Sequence, residues 1–171
     1  LKIPNILVTT SGSIEEDIMK SLGASFEISS FNADDTALHE SGQNRIGNLV
    51  IKTEAYMKFE DKISEYLEQV YQKKKRISSS ELLHEIGLLI KDENSLLHQA
   101  AKNNIPIYCP GIADSSFGFQ LYMFQQKNSD FIVDTILDMK RITEDLSFDD
   151  KKGLISLGGS ISKHYAIFAS L

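Results

Sequence analysis

Four side chains invite a chemical reading because each falls where a strand candidate gives way to a helix candidate. Glu15 and Glu16 are adjacent carboxylates just past the turn Thr10-Ser11-Gly12-Ser13. Asp114 sits between the break at Pro110-Gly111 and the helix pattern that starts near Phe117. His164 follows the paired glycines Gly158 and Gly159. In open α/β sheets ligands bind at such turns, outside the carboxyl ends of the strands. Carboxylates there suit a cationic amine and repel phosphate. Glycines let a ligand approach the backbone, and helix N–H groups suit phosphate or a nucleotide. A histidine can move protons near neutral pH. Taken alone, these residues describe a site for an amine with room for a cofactor, and they name no reaction. Blander readings stay open beside this one. Acids in a first helical turn offset the macrodipole, Asp114 is also an ordinary helix cap, and His164 is also an ordinary surface histidine. Gly12 belongs to no GxGxxG run, so the standard dinucleotide fingerprint is absent there.

The elements that must position these residues follow from apolar spacing. Residues 3–9 (IPNILVT), 105–109 (IPIYC) and 153–157 (GLISL) read as buried inner strands. Helix patterns run over 14–23, with Gly23 as a stop, and over 54–75, ending in the basic run Lys73-Lys74-Lys75-Arg76. Ser78 and Glu81 have capping-box spacing and open a helix that turns Leu82, Leu83, Ile86, Leu89 and Ile90 inward. Further helices cover 95–101, the stretch from Phe117, and the stretch carrying Ile136, Leu137, Met139 and Ile142. Residues 24–50 are poorly periodic. Within them 41–48 (SGQNRIGN) reads as a long ordered loop and 49–51 as a short strand. Right-handed crossovers between parallel strands place all three polar turns on one sheet edge. The pattern therefore predicts an α/β fold around a parallel sheet.

Composition narrows the class. A chain of 171 residues makes one domain with a substantial core, and with 42% apolar and 25% charged residues it is neither disordered nor membrane-spanning. No apolar run approaches the ~20 residues a helical span requires. A net charge of −6 argues weakly against nucleic acid and leaves room for a cationic ligand. The single cysteine, Cys109, forms no internal disulfide, so a reducing cytoplasm is the expected compartment. His84 and His98 lack His or Cys partners at metal-ligand spacing, so no metal site is expected. The chain lacks an initiating Met and stops inside an apolar helical pattern, which reads as truncation at both ends.

In order along the chain, LVTTSGSIEEDIMKSLG, ESGQNRIGNLVI, MKFED, NNIPIYCPGIADSSFGFQ and LISLGGSISKHY resemble the deoxyhypusine synthase family, its archaeal branch above all. The resemblance covers essentially the whole chain. It implies Rossmann-like subunits, helices on both faces of a parallel sheet, and a homotetramer with active sites shared between paired subunits. It also implies an NAD-dependent transfer of the aminobutyl group of spermidine, through an enzyme lysine, to a lysine of the translation initiation factor 5A precursor. Position by position, Thr10, Ser11 and Gly12 resemble the NAD-contacting turn, and Glu16 a contact to the cofactor and amine region. Glu15 resembles a spermidine contact, and Asp114 an NAD-contacting aspartate. Gly158 belongs to the same cofactor turn as Gly159. Gly159 and His164 resemble the amine-site glycine and histidine, with His164 the proton-transfer candidate.

Departures qualify the match. Phe119 and Phe168 stand where many eukaryotic members carry an aspartate and an asparagine, and Ser160 replaces a third glycine. The family's lysine lies in a WGK segment not found within residues 1–171, and Lys163 is not its equivalent. Residues 1–171 alone are therefore expected to be inactive. Two other readings remain: a homospermidine synthase-type aminobutyl transferase with a small amine acceptor, and an inactive subunit that completes the site of an active one.

Overall fold

The structure is a computed structural model that describes residues 4–145 and 151–170. In chain order its elements are β1 (Leu7–Val8), α1 (Ser11–Ser21), β2 (Glu27–Ile28), α2 (Asp35–Glu40), β3 (Gln43–Ile46), β4 (Leu49–Lys52) and α3 (Thr53–Lys73). Then come β5 (Arg76–Ile77), α4 (Ser79–Leu89), α5 (Leu96–Lys102), β6 (Ile107–Tyr108), α6 (Ser116–Lys127), β7 (Ile132–Val133), α7 (Thr135–Asp145) and α8 (Ser160–Ala169). No helix among the described residues is long and apolar enough to cross a membrane.

The α/β architecture rests on two parallel ladders. β1 pairs with β6, Leu7 opposite Ile107 and Val8 opposite Tyr108, and β5 pairs with β7. Side chains of a strand alternate between faces, and the β1–β6 ladder shows both faces covered. Leu7, Ile107 and Cys109 join the main core, which also holds α1 through Ile14 and Ile18, α3 through Phe59, Ile63 and Leu67, and α6 through Phe117. Val8 and Tyr108 face the other way, into a second cluster with Ile142 of α7 and Ala169 of α8. Tyr108 donates its hydroxyl to Asp145 Oδ2 at 2.6 Å. Burial first, and then this carboxylate, push its phenol far above the ordinary value.

Two expectations need correction. Residues 153–157 form no strand and pair with no ladder among the described residues. Leu154 is 59% exposed, Ile155 82% and Leu157 95%. Their apolar, β-branched composition is a local property, whereas a strand exists only where a neighbouring backbone takes its N–H and C=O groups. Of the three inner strands foreseen, two contain strand, β1 within 3–9 and β6 within 105–109. Residues 41–48 are not a loop either. They hold β3, which pairs with β4 in an antiparallel hairpin, Arg45 opposite Val50 and Ile46 opposite Leu49, with β2 on the other side of β4. The two-residue link Gly47-Asn48, with Gly47 at φ 64°, is the legible signal of such a turn.

The basic run at the end of α3 is consumed by ion pairs. Lys73 meets Glu85 at 2.6 Å, Lys74 meets Glu81 at 2.7 Å, and Arg76 meets Asp134 at 2.5 Å. Lys75 lies over the Tyr71 ring. Glu81 also completes the expected capping box with Ser78 and accepts from Arg141 at 2.6 Å. Burial raises the Glu81 carboxyl, but Lys74, the Ser78 N–H and Arg141 together outweigh it and hold the group at about 2.

A depressed carboxyl contributes stability that is complete above its ordinary value and fades as pH falls toward the folded one. Glu81→Gln is therefore expected to lower the thermal midpoint near neutral pH, with the gap to the parent closing as pH is taken below about 3, read by thermal melts across acid pH. Gly87 on α4 lets α5 approach, because a Cβ there would overlap the Leu97 carbonyl. Gly87→Ala is expected to cost about 1–3 kcal/mol, the scale of overpacking a well-filled contact, measured by urea unfolding.

Candidate active site

β1 and β6 run parallel, so the turns that follow them leave the same end of the ladder. The first turn opens α1. Thr10 is its N-cap residue but makes no side-chain cap bond, which leaves the first N–H groups of the helix to other partners. Ser11 and Gly12 follow half-buried, and a Cβ at Gly12 would come no nearer than 4.0 Å to Thr10 Oγ1. Glu15 turns inward with Ile14, and Glu16 is half-buried beside it.

The second turn opens α6. Ser115, not Asp114, is the cap: its hydroxyl accepts from Gly118 N at 2.9 Å and donates to the Ile112 carbonyl at 2.7 Å. Asp114 is left exposed, with its backbone N–H closing the turn on Gly111. Gly118 is required by this compact turn, since a Cβ there would overlap the Ala113 carbonyl.

The third turn opens α8. Gly158 has φ 90°, where glycine alone is unstrained, and neither Gly158 nor Gly159 would bring a Cβ within 4 Å of other atoms. Gly159 is the N-cap residue and gives no side-chain cap bond. Ser160 also has positive φ, at 65°. His164 is exposed and stacks on Phe168, centroids 6.3 Å apart and planes 13° from parallel.

Two contacts join the turns. Glu15 Oε1 accepts from Phe117 N at 2.8 Å, tying the first turn to the second. A Cβ at Gly111 would lie 3.3 Å from Ile161 Cδ1, so the second turn abuts the third. The structure thus ties Glu15 of the first turn to the start of α6 and sets the Gly111 turn against Ile161 of α8. It does so although residues 153–157 supply no strand.

Sequence reasoning missed three participants. Tyr56 on α3 is half-buried; burial, then the charges of Glu15 and Glu16, raise its phenol above the ordinary value. Its place one turn before the core residue Phe59 was the available signal. Asp17 faces away from the site and holds α5, accepting from Ser95 Oγ at 2.7 Å, Leu96 N at 2.8 Å and Leu97 N at 3.0 Å. Ile161, one residue into α8 past Ser160, brings its apolar side chain against Gly111. Cys109 lies under the second turn, and burial drives its thiol to about 12, so it is a packed, protonated thiol.

The family model for deoxyhypusine synthase matches residues 2–171. The chain belongs to the deoxyhypusine synthase family. A Thermoplasma acidophilum protein curated as a probable deoxyhypusine synthase is 41% identical over 98% of this chain and 54% of its own length. The deoxyhypusine synthase of Senecio vernalis is 38% identical over 98% of this chain and 46% of its own. A crystal structure assigned as a deoxyhypusine synthase, from Entamoeba histolytica, superposes with a TM-score of 0.61 at 25% identity, over 83% of this chain and 43% of that one. The chain spans about half the length of the curated relatives it matches.

Because Gly118 sets the path of the Asp114 turn, Gly118→Ala is expected to destabilise the protein by about 1–3 kcal/mol. Hydrogen exchange should localise the disturbance to the amides of residues 112–118. Unchanged exchange there would show that the turn does not depend on the glycine.

Proposed function

We propose that the complete protein is a deoxyhypusine synthase. It transfers the aminobutyl group of spermidine to a lysine of the translation initiation factor 5A precursor, in the cytoplasm, as a homotetramer. The observation that carries this reading is the meeting of an acidic pair, Glu15 and Glu16, with two helix starts that lack side-chain caps, at one edge of a family-matched chain.

The residues present fit NAD. Uncapped N–H groups at the starts of α1 and α8 are anion-binding groups, and the open surface over Gly12, Gly158 and Gly159 leaves space where a side chain would stand. Thr10, Ser11, Gly12 and Gly158 would hold NAD through backbone and hydroxyl donors, with Asp114 as an acceptor toward it. When bound, NAD supplies the acceptor for the hydride that leaves the amine. Glu15 and Glu16 would form an acidic wall that favours a polyamine over a neutral ligand, with Glu16 serving both cofactor and amine. Gly159 lets the amine chain pass close to the backbone. His164, its ring stacked on Phe168, would take the proton released from the amine nitrogen.

Phe119 and Phe168 favour a second reading. Their rings are 57% and 56% exposed, which presents phenyl faces rather than charge at the amine end and suits an inactive subunit that completes a partner's site.

The complete protein incubated with NAD, labelled spermidine and the factor is expected to place label in the factor. Label in a small amine instead makes it a homospermidine synthase-type enzyme, and NAD binding with no transfer makes it the inactive subunit. In an active protein, Glu16→Gln and His164→Ala should each cut turnover by about 10²–10⁴ with thermal midpoints close to the parent's. Near-parental transfer by both would remove them from the mechanism.

A further inference from the structure

A cavity of about 370 Å³ opens between the end of α3, the first turns of α4 and Arg141 of α7. That volume falls within the range of small-molecule sites. Asn104 and Pro106, which line it, precede β6, whereas the Asp114 turn follows that strand. The cavity therefore lies at the opposite end of β6 from the candidate active site, and no step of the proposed reaction uses it. Buried Val70 and Ile77 give it an apolar lining.

Cationic donors outnumber their acceptors around this space. Lys74 and Arg141 both donate to one oxygen, Glu81 Oε1, at 2.7 and 2.6 Å. The other Glu81 oxygen takes the Ser78 N–H, and Arg141 adds a bond to Ser78 Oγ at 3.2 Å. An ammonium has three donors and a guanidinium five, so two cations that share one carboxylate oxygen keep donors to spare. Lys73 also lines the cavity but is matched by Glu85 at 2.6 Å. Asp138 directs its oxygens to Ser79 and Ser80, and among the described residues it ion-pairs with neither Lys74 nor Arg141. The side chains of half-buried His84 and exposed Asn104 line the cavity with no hydrogen bond among the described residues.

We propose that this cavity is a second small-molecule site, for an organic anion. Its carboxylate or phosphate head meets Lys74 and Arg141, and its apolar body lies against Val70 and Ile77. His84 and Asn104 offer further donors. Such a ligand is opposite in charge to the polyamine proposed for the active site, so the two sites do not compete, and this inference does not rest on the amine reading. Glu81 opposes the binding, because the head must draw on the same two cations. Removing the Glu81 charge therefore strengthens the site while it weakens the fold.

The test is titration calorimetry on the complete protein at ~0.15 M salt, with NAD and spermidine present so that the active-site helix starts are occupied. The probes are phenyl phosphate and benzoate, with inorganic phosphate and benzyl alcohol as controls. Phenyl phosphate or benzoate is expected to bind more tightly than either control, and the tighter of the two names the head group. Arg141→Gln should weaken that binding about 10-fold, the low end for hydrogen bonds to a charged group. Lys74→Gln, which leaves the Arg141–Glu81 pair in place, should weaken it as well and decides the matter should Arg141→Gln fail to fold. Glu81→Gln should tighten it about 2- to 5-fold, the range of one surface ion pair, an effect that purely structural ion pairs would not give. Inorganic phosphate binding as well as phenyl phosphate would mean an adventitious ion only, and benzyl alcohol doing so would mean a merely apolar crevice; either result overturns the proposal. So does the absence of binding at millimolar probe, or binding that none of the three variants alters.

Discussion

Helix N-termini here are held largely by carboxylates that belong to other helices. Asp17 of α1 accepts from three donors at the start of α5, and Glu15, two residues earlier, takes the Phe117 N–H at the start of α6. Asp138 of α7, 3% exposed, does the same for α4, accepting from Ser80 N at 3.0 Å, Ser80 Oγ at 2.6 Å and the Ser79 hydroxyl. A buried carboxylate is tolerated only where such donors surround it. Each of these bonds therefore fixes one helix against another as firmly as it fixes a side chain. Removing any of the three would leave buried donors or a buried charge without a partner, so the arrangement of α1, α4, α5, α6 and α7 hangs together.

The same economy divides the helix starts into two kinds. α4, α5 and α6 begin with serine caps reinforced by a foreign acid, and their N–H groups are committed to the fold. α1 and α8 begin at Thr10 and Gly159 without a side-chain cap, as α3 does at Lys52, and α1 opens where the β1–β6 ladder ends. Donors that a fold does not use are the ones a ligand can use. Glu16 lies on α1, His164 on α8, and Asp114 just before α6. Their neighbours Asp17, Ser115 and Tyr165 are packed or bonded into the structure, and burial followed by the Asp138 charge lifts the Tyr165 phenol to about 12.

Much of this was legible in the chain. The spacing of Phe59, Ile63, Tyr66, Leu67 and Val70 makes one face of a long helix, and that face is the one buried in α3. Ser78 with Glu81, and Ser95, mark helix starts that local hydrogen bonding alone dictates. The positions of the three polar turns were equally plain, because a β-branched run followed by glycine and then an apolar helix pattern is a signal carried within about fifteen residues.

Tertiary structure decided what depends on partners far away in sequence. Whether residues 153–157 become a strand depends on a neighbouring backbone, and their exposure shows that composition does not supply one. Glu15, Glu16 and Asp17 are three consecutive acids with the same local claim on the α1 dipole. The helical rotation of about 100° per residue sends Glu15 to α6, Asp17 to α5 and leaves Glu16 between them. Only the packing of those helices separates Glu16 from the two acids that bond to other helices. The sequence by itself determined where helices start, where the turns fall and which family the motifs resemble, since these are short-range matters of spacing and capping. Which carboxylate does which work was settled by contacts up to 102 residues apart, because a hydrogen bond is made by position in space and not by nearness along the chain.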